Sequence, residues 1–218
     1  MKPNTKTTMI RNIIFDLGGV VVTLNPQQAA DRFEELGVQD AARHLNSYTQ
    51  QGIFGDLECG LITDEEFRQA LSRMVGHEVT HEQCAYAWQG YAMEVPRRNL
   101  DALLQLRREG YRLILLSNTN PYMMEWVASD RFDGYGHAVD YYFDALYLSY
   151  RMKVMKPSEE IFLRMMQSEK ILPQECLFLD DGERNVAAAS RLGIHTFCPE
   201  NGEDWTTELN RILSQQRI

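Results

Sequence analysis

An apolar stretch near the start of the chain carries one acidic residue in its interior. Residues 13–22 read IIFDLGGVVV, so Asp16 and two glycines interrupt a run that is otherwise apolar. A run that is apolar on both faces is typical of a strand buried in a parallel sheet. An unpaired carboxylate is too costly in such an interior, so Asp16 indicates a partner or a metal ion. The alternative interpretation is an aspartate that ends a strand and starts a glycine turn.

Two later apolar runs also end in polar side chains. Residues 113–116 read LILL and residues 176–179 read CLFL, and we predict a strand for each. The polar residues that follow these runs are Ser117, Asn118, Asp180 and Asp181. A lysine followed by a proline, Lys156, lies between the two runs. Because ligands bind beyond the carboxyl ends of strands in an open α/β sheet, we expect Asp16 at the floor of a crevice.

Taken in order, these features resemble the four motifs of the haloacid dehalogenase superfamily. Those motifs are a strand-end Asp nucleophile, a strand-end Ser or Thr, a Lys, and a paired acidic strand end. The resemblance covers essentially the whole chain, and the segments FDLGGV, LLSNTN, KP and FLDD look most like the alpha-D-glucose-1-phosphatase group. It implies an α/β fold with a Rossmann-like parallel sheet core and an inserted helical cap domain. It also implies an enzyme that hydrolyses phosphoric monoesters.

The residues that follow the first strand have the pattern of helices. Capping boxes, in which a threonine is followed three residues later by Glu or Gln, begin at Thr63 and Thr80. A helical block inserted after the first strand of an α/β chain suggests a separate cap. In the resembled family such a cap closes over the active site and selects the substrate. We therefore predict a core of residues 9–24 and 96–218 and a helical cap of residues 25–95.

The resemblance implies that Asp16 attacks the phosphorus atom of the substrate and forms an aspartyl-phosphate intermediate. Transfer of a phosphoryl group to a carboxylate needs strong neutralisation of oxygen charge, which a magnesium ion with oxygen ligands can supply. The implied magnesium ligands are Asp16, the carbonyl group of Gly18, and Asp181. Asp180 would then act with Asp16 in catalysis by orienting water at the metal. The alternative interpretation is that Asp180 and Asp181 cap the following helix.

Three further side chains are predicted to hold the phosphoryl group. The Ser117 hydroxyl and the Asn118 amide can donate hydrogen bonds to its oxygens, because both lie where a strand meets a helix N-terminus. Lys156 supplies positive charge, and we assign it to both catalysis and substrate binding. Lys153 could substitute for it, but the Lys-Pro pairing favours Lys156. The alternative interpretations are a helix cap for Ser117 and Asn118 and a solvated surface lysine for Lys156.

One position departs from the pattern of the resembled family. Most of its phosphatases carry an Asp two residues after the nucleophile as general acid and base, whereas this chain has Gly18. General acid–base catalysis is typically worth ~10²–10⁴-fold in rate. The glucose-1-phosphatase group also lacks this Asp, and an anomeric oxygen leaves more easily than an ordinary alcohol, which favours a sugar phosphate such as a hexose 1-phosphate. Asp180, Asp56 and Glu58 are the alternative helpers, and the sequence does not choose among them.

Composition restricts the possible partners. The formal net charge of −9 at pH 7 argues against nucleic acid and against an anionic membrane surface, because both need basic patches. No stretch approaches the length of a membrane span, and no apolar run suited to a signal peptide follows residues 1–6. The four cysteines form no CxxC pair, which gives no zinc-site pattern and suits a reducing compartment. We predict a cytoplasmic monomer or homodimer.

The leading functional hypothesis is therefore a magnesium-dependent phosphatase of small phosphorylated metabolites. A first alternative is a metal-free dehalogenase of the same fold, in which Asp16 attacks carbon. Asp180 and Asp181 argue against it, because carboxylates that face each other without a cation repel strongly. A second alternative is a non-catalytic module that binds phosphorylated ligands. Only Gly18 supports that alternative, while the intact nucleophile and Lys156 oppose it.

Overall fold

The computed structural model describes residues 9–45 and 52–215 of the chain. The strands are β1 (Asn12–Phe15), β2 (Thr23–Leu24), β3 (Ala92–Glu94), β4 (Arg112–Ser117), β5 (Ala145–Leu148), β6 (Cys176–Leu179) and β7 (His195–Phe197). The helices are α1 (Pro26–Glu35), α2 (Ala41–His44), α3 (Ile53–Glu58), α4 (Asp64–Val75), α5 (His81–Gln89), α6 (Arg97–Arg108), α7 (Pro121–Val127), α8 (Ser149–Met152), α9 (Glu159–Glu169), α10 (Glu183–Arg191) and α11 (Thr206–Gln215).

Five strands form a parallel sheet with β1 at its centre. The strand order is β5-β4-β1-β6-β7, which confirms the predicted α/β fold. Phe15, the last residue of β1, is in register with Leu115 of β4 and Leu179 of β6. The carboxyl ends of these three strands therefore lie side by side, and the polar residues that follow them share one edge of the sheet.

The first strand is shorter than the sequence pattern predicts. The apolar run of residues 13–22 leaves the sheet after Phe15. The Leu17 carbonyl then accepts hydrogen bonds from two valine amides of the same run, at 2.9 and 2.8 Å, so the chain turns back on itself. The valines remain buried in a hydrophobic cluster with Trp205, whose indole N–H donates to the Val20 carbonyl at 2.8 Å. Burial alone therefore does not distinguish this packed turn from a strand.

Side chains of the sheet alternate between two hydrophobic clusters, as expected for a parallel sheet covered on both faces. Phe15 belongs to the first cluster, to which α6 contributes Leu103 and α11 contributes Leu209. Ile14 belongs to the second, to which α9 contributes Met165. This layering leaves the carboxyl edge of the sheet as the place where polar groups can meet a ligand.

The helices between β2 and β3, which we call the helical segment, form a third hydrophobic cluster, which Tyr122 and Met123 of α7 join. The largest fully buried side chains that the segment contributes are Phe33, Phe54, Phe67 and Trp88. The structure confirms both predicted capping boxes, at Thr63 and Thr80. The two chain crossings between the segment and the sheet run side by side, and β2 pairs with β3 in the antiparallel sense. The prediction that residues 25–95 contain helices alone is therefore wrong at Ala92–Glu94, where pairing satisfies backbone groups.

The division into core and cap stays a prediction. The predicted ranges 25–95 and 96–218 include residues 46–51 and 216–218, which lie outside the described residues. The same holds for residues 1–6, to which the signal-peptide prediction applies. Among the helices of residues 9–45 and 52–215, none is long and apolar enough to cross a membrane.

Candidate active site

A cavity opens at the carboxyl edge of the sheet. The predicted site residues that line it are Asp16, Gly18, Ser117, Asn118 and Asp181. The two remaining ones, Lys156 and Asp180, are buried directly beside them, with residue exposures of 3% and 0%. The structure therefore brings all of the predicted site residues together, although they are spread over more than 160 positions of the sequence.

Lys156 stands at the centre of this group. Its Nζ atom lies 2.9 Å from Asp16 Oδ1 and 2.6 Å from Asp180 Oδ2, and it also donates to the Leu116 carbonyl at 2.9 Å. Burial lowers the pKa of Lys156, but the two carboxylates raise it by more, so its pKa lies above the ordinary value. The lysine therefore stays positively charged. The alternative, Lys153, is exposed to solvent.

Asp180 is held by donors on both of its oxygens. In addition to the Lys156 contact, its Oδ1 atom accepts hydrogen bonds from the Gly182 amide at 2.8 Å and from Asn185 Nδ2 at 2.9 Å. Its side chain is fully buried. Asp180 therefore fixes the position of the lysine ammonium group and of the turn before α10.

The carboxyl groups of Asp16 and Asp181 lie close to each other and to that of Asp180. One oxygen from each of Asp16, Asp180 and Asp181 can be chosen so that all three lie within 4.8 Å of one another. Burial raises the pKa of Asp16 to about 8; Lys156 opposes this rise, and Asp180 and Asp181 add to it. Burial, followed by the charge of Asp180, raises the pKa of Asp181 to about 6. A bound cation would lower the pKa of both carboxyl groups.

The donor set fits a magnesium ion. Carboxylate oxygens are the ligands that Mg²⁺ prefers, and Asp16 and Asp181 present them to the same cavity. The backbone makes room for this arrangement, because a Cβ atom on Gly19 would lie 2.1 Å from Asp181 Oδ2. Gly18 lines the cavity beside them, and the role of its carbonyl as a ligand stays a prediction.

Comparison with known proteins agrees with this geometry. Residues 10–193 match the family of haloacid dehalogenase-like hydrolases, which is most of the chain. The chain belongs to that family. The superfamily assignment made from the motifs is thereby confirmed, as is the identification of the chain as a hydrolase, whereas membership of the glucose-1-phosphatase group stays a prediction.

Three relatives illustrate how similar this haloacid dehalogenase-like hydrolase is to known proteins. D-ribitol-5-phosphate phosphatase of Bacteroides thetaiotaomicron is 45% identical over 206 residues, which cover 94% of this chain and 100% of the relative. A haloacid dehalogenase-like hydrolase of Porphyromonas gingivalis is 46% identical with a TM-score of 0.90, covering 94% and 98% of the two chains. A family enzyme of B. thetaiotaomicron, solved with magnesium and inorganic phosphate, is 38% identical with a TM-score of 0.82, covering 91% and 98%.

Within this family member, the Asn118 side chain is placed differently from our prediction. Its Oδ1 atom accepts the Lys156 amide and its Nδ2 atom donates to the Lys156 carbonyl, both at 2.9 Å. The side chain predicted to bind a phosphoryl oxygen thus holds the lysine backbone, because the two loops cross at this point. Ser117 faces the cavity as predicted, and its Oγ atom makes a long contact of 3.3 Å with the Asn118 carbonyl.

The helical segment forms a second wall of the cavity. Glu58, the last residue of α3, lines it together with Trp88 and Tyr91. Glu58 is only 7% exposed. Of the two acidic residues that the sequence suggested as helpers from this segment, Glu58 lines the cavity and Asp56 is not among the described lining residues.

Sequence reasoning missed several residues of this site, among them Trp88, Tyr91 and the three that follow. Asn185 lines the cavity and binds Asp180; its signal was an amide one turn into the helix that follows the acidic pair. Met123 and Trp126 also line the cavity. In the same helix, Met124 and Val127 are buried in the core. Which residues of α7 reach the cavity depends on where the helical segment packs.

Proposed function

We propose that this hydrolase is a magnesium-dependent phosphatase of small phosphorylated metabolites. The observation that carries the proposal is the contact between Asp16 and Lys156, 2.9 Å long, beside two further carboxylates. A nucleophilic carboxylate, a fixed positive charge and a set of oxygen ligands are the groups that transfer of a phosphoryl group to an enzyme requires. Asp16 and Asp181 border one cavity in this protein, and Lys156 is buried directly beside it.

In the proposed reaction Asp16 attacks phosphorus and forms an aspartyl phosphate. Lys156, anchored by the Leu116 carbonyl and Asp180, keeps its charge next to the attacking oxygen. The Ser117 hydroxyl, which has only a long contact of 3.3 Å, can turn to donate to a phosphoryl oxygen. Asp16, Asp181 and the Gly18 carbonyl would hold a magnesium ion, which neutralises phosphoryl oxygen charge when bound.

The carboxylate cluster favours a phosphatase over a metal-free dehalogenase. Three carboxylates with oxygens within 4.8 Å share one lysine, so a cation is needed to balance them. Burial, followed by the neighbouring carboxyl groups, raises the pKa of Asp16 to about 8 and that of Asp181 to about 6, and a bound cation would lower both. A metal-free dehalogenase supplies no such cation.

The substrate class that we propose is a phosphorylated sugar or polyol. The name of one relative, D-ribitol-5-phosphate phosphatase, supports a phosphorylated polyol. The resemblance to glucose-1-phosphatases supports a hexose 1-phosphate. The cavity wall suits either class, because the Glu58 carboxyl group can bind a hydroxyl group and the rings of Trp88 and Tyr91 can pack on carbon.

The test is a panel of phosphate esters assayed for phosphate release with magnesium and with a chelator. The panel contains D-ribitol 5-phosphate, glucose 1-phosphate, glucose 6-phosphate and p-nitrophenyl phosphate. We expect magnesium-dependent release, which Asp16→Asn lowers by at least ~10³-fold. This variant should remain folded, because asparagine still accepts the Leu17 amide that now bonds Asp16 Oδ1 at 2.7 Å. Chloride release from 2-chloropropionate without magnesium would instead support the dehalogenase.

A further inference from the structure

The proposed reaction lacks a proton donor at the position where related phosphatases carry one. Gly18 has no side chain to supply it. Asp180 is fully buried, with Lys156 on one oxygen and the Gly182 amide on the other, at 2.6 and 2.8 Å, and it is not among the described residues that line the cavity. Both of its oxygens are therefore engaged within the protein. A donor has to come from another wall.

Glu58 is the acidic residue that the helical segment contributes to the cavity. It shares the lining with Asp16 and Asp181, which belong to the sheet edge. Asp56 lies two residues earlier in α3, on the opposite side of the helix, and is not among the described residues that line the cavity. The sequence suggested both Asp56 and Glu58 as helpers. In the structure, the orientation of α3 brings Glu58 to the cavity.

Backbone contacts hold Glu58 close to the sheet edge. Ser149 Oγ lies 2.7 Å from the Glu58 carbonyl oxygen and 3.1 Å from the Thr119 carbonyl oxygen, and it accepts the Thr119 amide at 3.0 Å. Two residues after Glu58, a Cβ atom on Gly60 would lie 2.0 Å from the Tyr150 carbonyl oxygen. The end of α3 therefore lies against the loop that follows β4, where the phosphoryl group is expected.

Two aromatic residues of the helical segment, Trp88 and Tyr91, line the cavity together with Glu58. Burial, followed by the charge of Glu58, raises the pKa of the Tyr91 hydroxyl group, so the carboxyl group lies within electrostatic reach of that ring. Tyr91 donates its proton to the Leu45 carbonyl at 2.8 Å and is occupied there. Tyr91 is therefore engaged elsewhere, and Glu58 is the carboxyl group that this part of the lining brings to the cavity.

We infer that Glu58 is the general acid and base of this active site, an inference that rests on the proposed phosphatase function. In the first step an Asp16 oxygen bonds to phosphorus, and the leaving oxygen departs with the electron pair of its broken bond and takes the Glu58 proton. In the second step the Glu58 carboxylate removes a proton from water while the water oxygen bonds to phosphorus and Asp16 leaves as a carboxylate. One phosphate ester and one water become one alcohol and one inorganic phosphate.

Substrates whose leaving groups differ in acidity test this inference. p-Nitrophenolate departs without a proton, whereas the alkoxide of a sugar or polyol needs one. Glu58→Gln should lower kcat by ~10²–10⁴-fold for the alkyl phosphate that the wild type hydrolyses fastest in the panel above. With p-nitrophenyl phosphate the variant should release a first equivalent of nitrophenolate within about tenfold of the wild-type rate, and then turn over slowly because water activation lacks its base.

Two variants serve as controls. Asp56→Asn lies on the same helix and should leave both activities unchanged. Glu58→Asp shortens the side chain by one methylene and should restore part of the alkyl phosphate rate. Both changes at position 58 keep the Ser149 contact, which involves the backbone carbonyl.

Several outcomes overturn the inference. An equal loss of the first-turnover rate with both substrates, an unchanged kcat with both, or a rise in KM alone would each show that Glu58 does not transfer the proton. A wild-type protein that releases phosphate from none of the esters overturns the proposed function itself, and the inference with it.

Discussion

Gly19 and Asp181 approach each other so closely that only a glycine fits at position 19. A Cβ atom on Gly19 would lie 2.1 Å from Asp181 Oδ2, and the residue has a φ of +76°. A side chain would therefore displace the Asp181 carboxylate in addition to straining the backbone. The glycine pair after the nucleophile thus serves the geometry of the acidic cluster.

We expect Gly19→Ala to weaken magnesium binding and to destabilise the protein. The backbone conformation alone costs about 1–2 kcal/mol for a residue with a Cβ atom, and the displaced carboxylate adds to this. Gly76→Ala is the matched control, because Gly76 also has a positive φ, of +80°, and a Cβ atom there would meet no described atom within 4 Å. Urea denaturation and magnesium titration calorimetry measure both effects. Equal magnesium affinity in the two variants would contradict the assignment of Asp181.

Asp181→Asn and Asp180→Asn should have opposite profiles. Asp181→Asn should raise the Kd for magnesium by at least ~10-fold, because it removes a proposed ligand, and leave the free energy of unfolding nearly unchanged. Asp180→Asn should lower the free energy of unfolding by about 1.5–3 kcal/mol, because buried hydrogen bonds to Lys156 and Gly182 lose their charged acceptor. The reverse order of magnesium affinities would show that the two roles are exchanged.

Asn118→Ala should act through Lys156. The change leaves the Lys156 amide and carbonyl without their side-chain partner, which should cost about 1–3 kcal/mol of unfolding free energy. The displaced lysine should lower kcat more than it raises KM. Asn118→Asp keeps the acceptor for the Lys156 amide and should be less damaging. A rise in KM alone in both variants would favour the phosphate contact that the sequence suggested.

Asp133 should make stability depend on acid pH. Burial raises the pKa of Asp133. Hydrogen bonds from the Tyr142 hydroxyl and from the amides of His137 and Tyr135 lower it by more, so the pKa of Asp133 lies below the ordinary value. A lowered pKa stabilises the fold above the unfolded-state value of about 4, and this stability is lost as the pH falls below it. We expect Asp133→Asn to lower the unfolding free energy by about 1–3 kcal/mol at pH 7.

The difference between wild type and Asp133→Asn should shrink as the pH falls below about 4. Chemical denaturation at pH 7, 5, 4 and 3 measures it. A difference that stays constant over this range would mean that the carboxylate charge does not contribute. Asp130→Asn, in the same loop, is the control, and its stability should follow the wild type at each pH.

Much of the site was predictable because it is built from strand ends. Asp16, Ser117 and Asp180 each follow an apolar run, and parallel strands that are adjacent in a sheet present such residues at one edge. The capping boxes at Thr63 and Thr80 were equally legible, because they depend on residues only three positions apart. Local patterns of this kind need no knowledge of the rest of the fold.

Other features could not be predicted from the sequence, because they depend on contacts between residues that are distant in the chain. The apolar run after Asp16 forms a buried turn, which hydrophobicity cannot distinguish from a strand. The short strand Ala92–Glu94 exists because it meets a partner nearly seventy residues away, and its own composition carries no strand signal. The side-chain amide of Asn118 could donate a hydrogen bond to a phosphate. In the structure it instead binds the backbone carbonyl and amide of Lys156.

The sequence by itself determined the α/β class, the family and the types of residue at the sheet edge. Periodicity is a property of neighbouring residues, and the order of the motifs is visible along the chain without knowledge of the fold. Only the tertiary structure decided that Glu58 rather than Asp56 lines the cavity and that Asp180 forms an ion pair with Lys156. These outcomes depend on the packing of elements that are distant in the chain. If the same helices packed in a different position or rotation, other side chains would face the cavity, although the local sequence pattern would be unchanged.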